Sequence, residues 1–218
     1  MLERLGHYLQ DYGLILRGGF HPADDDPLAT EAGTLVLIGN AGSAIWPPFE
    51  EQHTPHKDAL DIWTKQVLDK AAALFGATAF YPSDGPPYHP FQQWAQQAEG
   101  LSPSPLFILM HPEYGLWHAY RGALAFREKL DLPERKAAPS PCDSCVDRPC
   151  LTGCPVDAFS SDGYDVAACA AHLRTAAGAD CMNHGCAARR ACPIGRDYHY
   201  TPGHAAFHMK AFVRARGD

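Results

Sequence analysis

The chain has 218 residues, 46% of them hydrophobic and 11% aromatic, and a formal net charge of −7. That composition supports a real core and excludes a disordered tail, and the length suits one large domain or a moderate domain plus a small one. Residues 1–133 carry 8 Lys/Arg against 16 Asp/Glu and residues 134–218 carry 10 against 9, so neither part offers the basic face of a nucleic-acid binder.

The opening run, Met1-Leu2-Glu3-Arg4-Leu5-Gly6-His7-Tyr8, lacks the basic start and continuous apolar segment of an export signal. No stretch approaches the roughly 20 apolar residues of a membrane span. A cytoplasmic protein without membrane contact is therefore expected. Asp24-Asp25-Asp26, set between prolines, reads as a solvated loop. Thr34-Leu35-Val36-Leu37-Ile38 is a short apolar run best read as a buried strand. From Asp58 to Phe75, apolar residues at 59, 60, 62, 63, 67, 68, 71, 74 and 75 follow helical spacing that Gly76 ends. Ala77–Tyr81, Pro105–Met110 and Ala119–Phe126 are further strand candidates, and Phe91–Glu99 is a shorter helix. The mixture implies an α+β or α/β sheet flanked by helices.

Residues 131–141 are proline-rich, charged and weakly apolar, which marks a linker and divides the chain into domains at 1–133 and 134–218. Beyond the linker, Tyr164–Ala177 reads as a helix capped by Asp162 or Asp165, His184–Ala191 as another, and Ala205–Arg216 as a terminal helix. Its late Arg214 and Arg216 suit the negative helix end.

All eight cysteines lie between 142 and 192. The first four run Cys142-x2-Cys145-x4-Cys150-x3-Cys154-Pro155, and the rest are Cys169, Cys181, Cys186 and Cys192-Pro193. A close-spaced cysteine run ending in Cys-Pro is the ligand pattern of a ferredoxin-type [4Fe–4S] site, and eight thiols supply two clusters with none left over. Proline sends the chain away after Cys154 and Cys192, so each is expected at the cluster neighbouring its own run. Cys142, Cys145, Cys150 and Cys192 then form one set, and Cys154, Cys169, Cys181 and Cys186 the other. Disulfides would need export, and zinc would need a second C-x2-C pair besides Cys142/Cys145. The x4 gap before Cys150 departs from the usual x2. Arg189, Arg190 and Arg196 either balance the charge of such clusters or form a solvated face.

The other distinctive string is His111-Pro112-Glu113-Tyr114-Gly115-Leu116-Trp117-His118-Ala119-Tyr120-Arg121-Gly122. Gly115 would let a ligand approach the backbone of a pocket wall, although composition alone favours a structural turn. Arg121, among small and apolar neighbours, needs an anionic partner such as Glu113 or Glu128, and His89 in its proline-rich stretch reads as an exposed loop position. No Gly-x-Gly-x-x-Gly, Walker loop or nucleophile elbow is present, so hydrolysis and phosphoryl transfer lack support and no catalytic residue is assigned.

Residues 142–193 resemble the dicluster domain of epoxyqueuosine reductase and, more loosely, of reductive dehalogenases, with Cys169-Ala-Ala-His172-Leu173 at the lone helical cysteine. Residues 111–122 resemble a segment of the cblC-type cobalamin-processing family. That likeness extends to Gly33–Leu37, Trp46-Pro47-Pro48-Phe49, the 58–75 helix, Tyr88-His89-Pro90 and Leu130-Asp131-Leu132-Pro133. The resemblance implies a nitroreductase-like α+β domain that binds cobalamin, with His89 beside the corrinoid, Arg121 at a thiol cosubstrate position, and His111, Gly115 and Trp117 forming the pocket. Because the cblC-type proteins of animals lack the cysteine module, the clusters rather than a free thiol are expected to supply electrons. The chain is also much shorter than epoxyqueuosine reductase and has no match to its nucleoside- or tRNA-handling parts.

Together these readings imply an external donor protein, two [4Fe–4S] clusters and a corrinoid acceptor in the first domain, for cobalt reduction or reductive removal of its upper ligand. The alternatives are a dicluster carrier without corrinoid and a flavin-dependent reductase. Nitroreductase-like folds are often dimeric, which extends the expectation to a homodimer.

Overall fold

The structure, a computed structural model, describes residues 1–23, 28, 32–135 and 139–217. The aspartate run at 24–26 and linker residues 136–138 lie outside the described residues. In chain order the elements are α1 (Leu2–Gln10), β1 (Ile15–Phe20), β2 (Thr34–Ala41), α2 (Trp46–Gln52), α3 (Ala59–Phe75), β3 (Thr78–Phe80), α4 (Phe91–Glu99), β4 (Ser102–Pro103), β5 (Leu109–Met110) and β6 (His118–Phe126). They continue with α5 (Pro149–Thr152), β7 (Phe159–Ser160), β8 (Gly163–Tyr164), α6 (Val166–Leu173), α7 (Ala179–His184), α8 (Ala187–Arg190) and α9 (Pro202–Arg214). The structure is thus mixed α+β. Among the described residues, no helix is long and apolar enough to cross a membrane.

The chain divides into two compact units, Met1–Leu101 with Ala119–Ala138, and Ser102–His118 with Pro139–Asp218. In the first unit a four-stranded sheet runs in the order β1-β2-β6-β3, with β1 antiparallel to β2 and β3 antiparallel to β6. Strand β2 is buried over Thr34–Asn40 because its apolar run has no solvent face to alternate with. Helix α3 buries Ala59, Leu60, Trp63, Val67, Leu68 and Ala71 on one stripe and leaves Ile62 and Leu74 exposed. Gly76 ends it in the left-handed conformation, its N–H donating to the Ala72 carbonyl. Helix α4 buries Phe91, Trp94, Ala95 and Ala98.

Among the described residues of this unit, one charged side chain is buried. Arg17 of β1 is 1% exposed and makes two bonds to the Glu99 carboxylate, at 2.9 and 2.8 Å, with its guanidinium 4.7 Å from the Tyr120 ring centre. A bidentate partner is what an interior guanidinium needs to offset its lost hydration.

In the second unit, helices of four to thirteen residues surround a core in which Leu106, Met110 and Leu116 pack with Cys150, Cys154, Ala158, Ala188 and Cys192. This contact explains why residues 102–118 belong with the cysteine segment, whereas the sequence boundary at 133/134 put them with the first domain. The strand expected over Pro105–Met110 shortens to β5, paired with β4. Phe107 interrupts it at φ 61°, a conformation that a bulky residue rarely adopts and that no strand accommodates.

Candidate metal centre

Each cysteine is held by a short element whose sequence accounts for its shape. Cys142 and Cys145 lie in and just after a tight turn, where the Cys145 N–H donates to the Cys142 carbonyl at 3.3 Å. Pro149 opens α5, with its missing N–H at an end where no intrahelical acceptor exists, so Cys150 sits on the first turn. Cys154 follows the Gly153 that caps α5. Asp165 caps α6 by accepting from the Ala168 N–H at 2.9 Å, which sets Cys169 on the helix above it. Cys181 lies on α7, Cys186 caps α8 and Cys192 follows that helix.

Helices α5 and α8 lie against each other so closely that a Cβ on Gly153 would stand 2.9 Å from the Ala191 Cβ and 3.4 Å from the Ala188 Cα. Each helix therefore lies between two cysteines of different sets: Cys150 and Cys154 flank the end of α5, and Cys186 and Cys192 flank α8.

Two cavities result. One, of about 220 Å³, is lined by Cys142, Cys145, Cys150 and Cys192 among Pro141, Met110, Leu116 and Ile194. The other, of about 20 Å³, is lined by Cys154, Cys169, Cys181 and Cys186 together with His172 and Met209. This is the division of thiols expected from the spacing. Among the described residues, no three His, Cys, Asp or Glu side chains come together as one metal ion requires. The thiols border their cavities rather than converge on a point, and neither cavity has a carboxylate in its lining. A soft, all-sulfur donor set of four suits an iron–sulfur cube, one thiolate per iron, or a zinc ion.

The electrostatics favour protonated thiols. Burial pushes the Cys142, Cys150, Cys169, Cys186 and Cys192 thiols up, and neighbouring cysteines of the same set add to the rise. Without a bound metal these thiols favour their neutral form; a coordinated cation reverses that balance. Several donors already point at sulfur. The Ala158 N–H reaches Cys154 Sγ at 3.3 Å, Ile194 donates to Cys192, Arg189 and Ala188 donate to Cys186, and the Tyr164 hydroxyl bonds Cys169.

Of the three arginines suggested to balance clusters, Arg196 acts on a thiol, drawing Cys192 down. Arg189 instead stacks over Trp117 and Tyr200, at 4.3 and 4.7 Å, and donates Nε to the Leu116 carbonyl at 3.0 Å. Arg190 pairs with Asp180.

The residues offered to a corrinoid divide between the units. His111, Gly115 and Trp117 fall in the second. The His111 Nδ1 accepts the N–H groups of Glu113 and Tyr114, at 3.1 and 3.0 Å, closing a turn whose ends bridge His111 to Gly115. Gly115 has φ 57°, and a Cβ there would stand 2.2 Å from the Ile194 carbonyl oxygen; Gly195 answers it, since a Cβ there would stand 2.3 Å from the Tyr114 carbonyl oxygen. The glycine thus admits backbone just beyond Cys192-Pro193, in place of the ligand expected there. Trp117 is 1% exposed, with Tyr200 edge-on at 5.3 Å.

His89 and Arg121 belong to the first unit. His89 is half-buried against Phe80 and Trp94, rather than an open loop residue. Arg121 donates Nε to Asn40 Oδ1 at 3.0 Å and lines a cavity of about 110 Å³ with Asp61, Tyr81, Ser83 and Tyr120. Glu113, one suggested partner, accepts instead from the Tyr198 hydroxyl. Sequence reading passed over Arg17, whose position between Leu16 and two glycines carried no periodic signal.

Comparison of the chain with protein-family models, curated proteins and solved structures finds no match.

Proposed function

We propose that this chain is an iron–sulfur electron-transfer protein that holds two [4Fe–4S] clusters in its second, ferredoxin-type unit and passes electrons to a corrinoid bound by a nitroreductase-like first unit. The observation that carries the electron-transfer reading is the division of eight cysteines into two sets of four, each lining its own cavity. When bound, the clusters supply reversible one-electron transfer. The chain's residues do the rest. Four thiolates per set hold each group, the apolar lining excludes water, and N–H donors stabilise charge on the sulfurs. Cys150 and Cys154 are joined by a stretch that spans at most roughly 14 Å even when extended, so an electron leaving one site has the other as its neighbour.

The corrinoid part rests on the resemblance of residues 30–133, within which the first unit offers His89 and Arg121. A second reading, an electron carrier without corrinoid, is favoured by the use of His111, Gly115 and Trp117 inside the second unit.

Both are tested on the full chain, reconstituted anaerobically with iron and sulfide. The expected load is two cubes per chain, about eight iron and eight sulfide, and Cys192→Ala should lose the cluster shared with Cys142, Cys145 and Cys150 while keeping the other. Titration with cob(II)alamin, read by EPR, should remove the nitrogen hyperfine splitting of the lower base. An unchanged cobalamin signal beside intact cluster signals would leave the carrier reading, and a single iron per chain would overturn both.

A further inference from the structure

The cavity of the second cysteine set holds a polar group that the thiol inventory does not use. His172 lies one turn beyond Cys169 on α6, on the same helix face, and borders the cavity with Cys154, Cys169, Cys181 and Cys186. Its Nε2 is buried and makes no hydrogen bond. The backbone at this position is fully engaged: the His172 carbonyl accepts from the Thr175 N–H at 2.9 Å and from its hydroxyl at 2.7 Å. The helix end is therefore held in place.

A buried ring nitrogen without a partner is costly, and native proteins rarely keep one without a use. The nature of the cavity selects that use. Cysteine sulfurs, once they are thiolates, and the sulfides of a cube accept hydrogen bonds and donate none. To pair with such sulfurs, the Nε2 of a lining imidazole must carry a proton. Hydrogen bonds to the sulfurs of a cluster stabilise its more negative, reduced form and so raise its reduction potential. The lining of the first cavity contains no histidine; its side-chain donors are Arg148, Ser104 and Ser144.

We propose that His172 is a positioning and tuning residue: its Nε2–H donates to a sulfur of the cluster held by Cys154, Cys169, Cys181 and Cys186, and raises that cluster's reduction potential relative to the same site without the donor. The inference rests on the two-cluster reading above.

The test uses the full chain reconstituted with iron and sulfide. EPR-monitored redox titration compares the unaltered protein with His172→Phe, which removes the donor, and His172→Gln, which returns an N–H near the same place. The expected result is that one cluster of His172→Phe becomes about tenfold harder to reduce, which is about 59 mV lower for one electron. The other cluster should not move, and His172→Gln should recover much of the shift. Full loading with both potentials unchanged in His172→Phe would overturn the proposal.

Pulsed EPR on unaltered chain carrying 15N-labelled histidine supplies an independent arm, and it decides the matter if His172→Phe fails to load. A weak nitrogen coupling to one reduced cluster is expected. No coupling, or a coupling strong enough for direct iron ligation, would overturn the proposal. Failure of the unaltered chain to load two clusters is a separate outcome and strikes the reading on which this one depends.

Discussion

The first unit holds itself together with apolar side chains on long elements, whereas the second wraps short helices around thiols. Strand β2 and the seventeen-residue α3 bury continuous apolar surface, including Leu35, Leu37, Ile38, Trp63 and Leu68, each at most 2% exposed. Full burial of a side chain of that size contributes about 1.5–3 kcal/mol. In the second unit α5 and α8 have four residues each and α7 has six, and four of its buried apolar positions are Cys150, Cys154, Cys181 and Cys192. Helices this short are marginal in water without external support. The contrast teaches that one chain can stabilise one unit through its apolar core while another unit of short helices would gain most from a bound metal.

Removal of iron is the strongest way to break that comparison. Chelation of the reconstituted chain should abolish amide-exchange protection over α5–α8 while residues 34–41 and 59–75 keep theirs. Equal protection in the loaded and stripped chains would place the stability of the second unit in its apolar cluster. The converse change is Leu68→Ala, at a side chain with no exposed surface. It should cost the first unit about 3 kcal/mol in urea unfolding, with iron content unaltered; a parallel loss of iron would mean that the two units unfold together. The smallest expected effect is Asp165→Ala, which removes the acceptor of the Ala168 N–H. It should cost about 1 kcal/mol, read as faster exchange over residues 166–173 with the first unit unmoved.

The readable parts of the fold were those with local causes. Helix α4 occupies Phe91–Glu99 as its pattern implied, α3 stops at Gly76, and β2, β3 and β6 fall on the apolar runs assigned to them. The helix read over Tyr164–Ala177 is shorter, α6, because the Arg174 N–H turns back to the Ala171 and His172 carbonyls and a 3₁₀ turn follows at Ala176–Gly178. Helices α1, α2, α5 and α7 and strand β1 were not read. Strand β1 contains Arg17 and two glycines, which break any alternation, and α5 and α8 are too short to show a period. The cysteine grouping was legible because Cys-Pro redirects the chain regardless of what surrounds it. The place of His111, Gly115 and Trp117 was not, since a glycine that admits a ligand and one that admits a distant backbone look the same in a string of residues.

By itself, then, the sequence determined the number of thiols, their grouping into two sets and the longer helices and strands, all of which depend on neighbours within a few residues. Only the tertiary structure decided that residues 102–118 leave the first unit for the second, that Gly115 meets Ile194, and that the His172 Nε2 lies unpartnered at the second cavity. Those outcomes turn on which apolar surface lies closest once the chain has collapsed. Leu106, Met110 and Leu116 find theirs among the cysteines, and no periodicity along the chain encodes that choice.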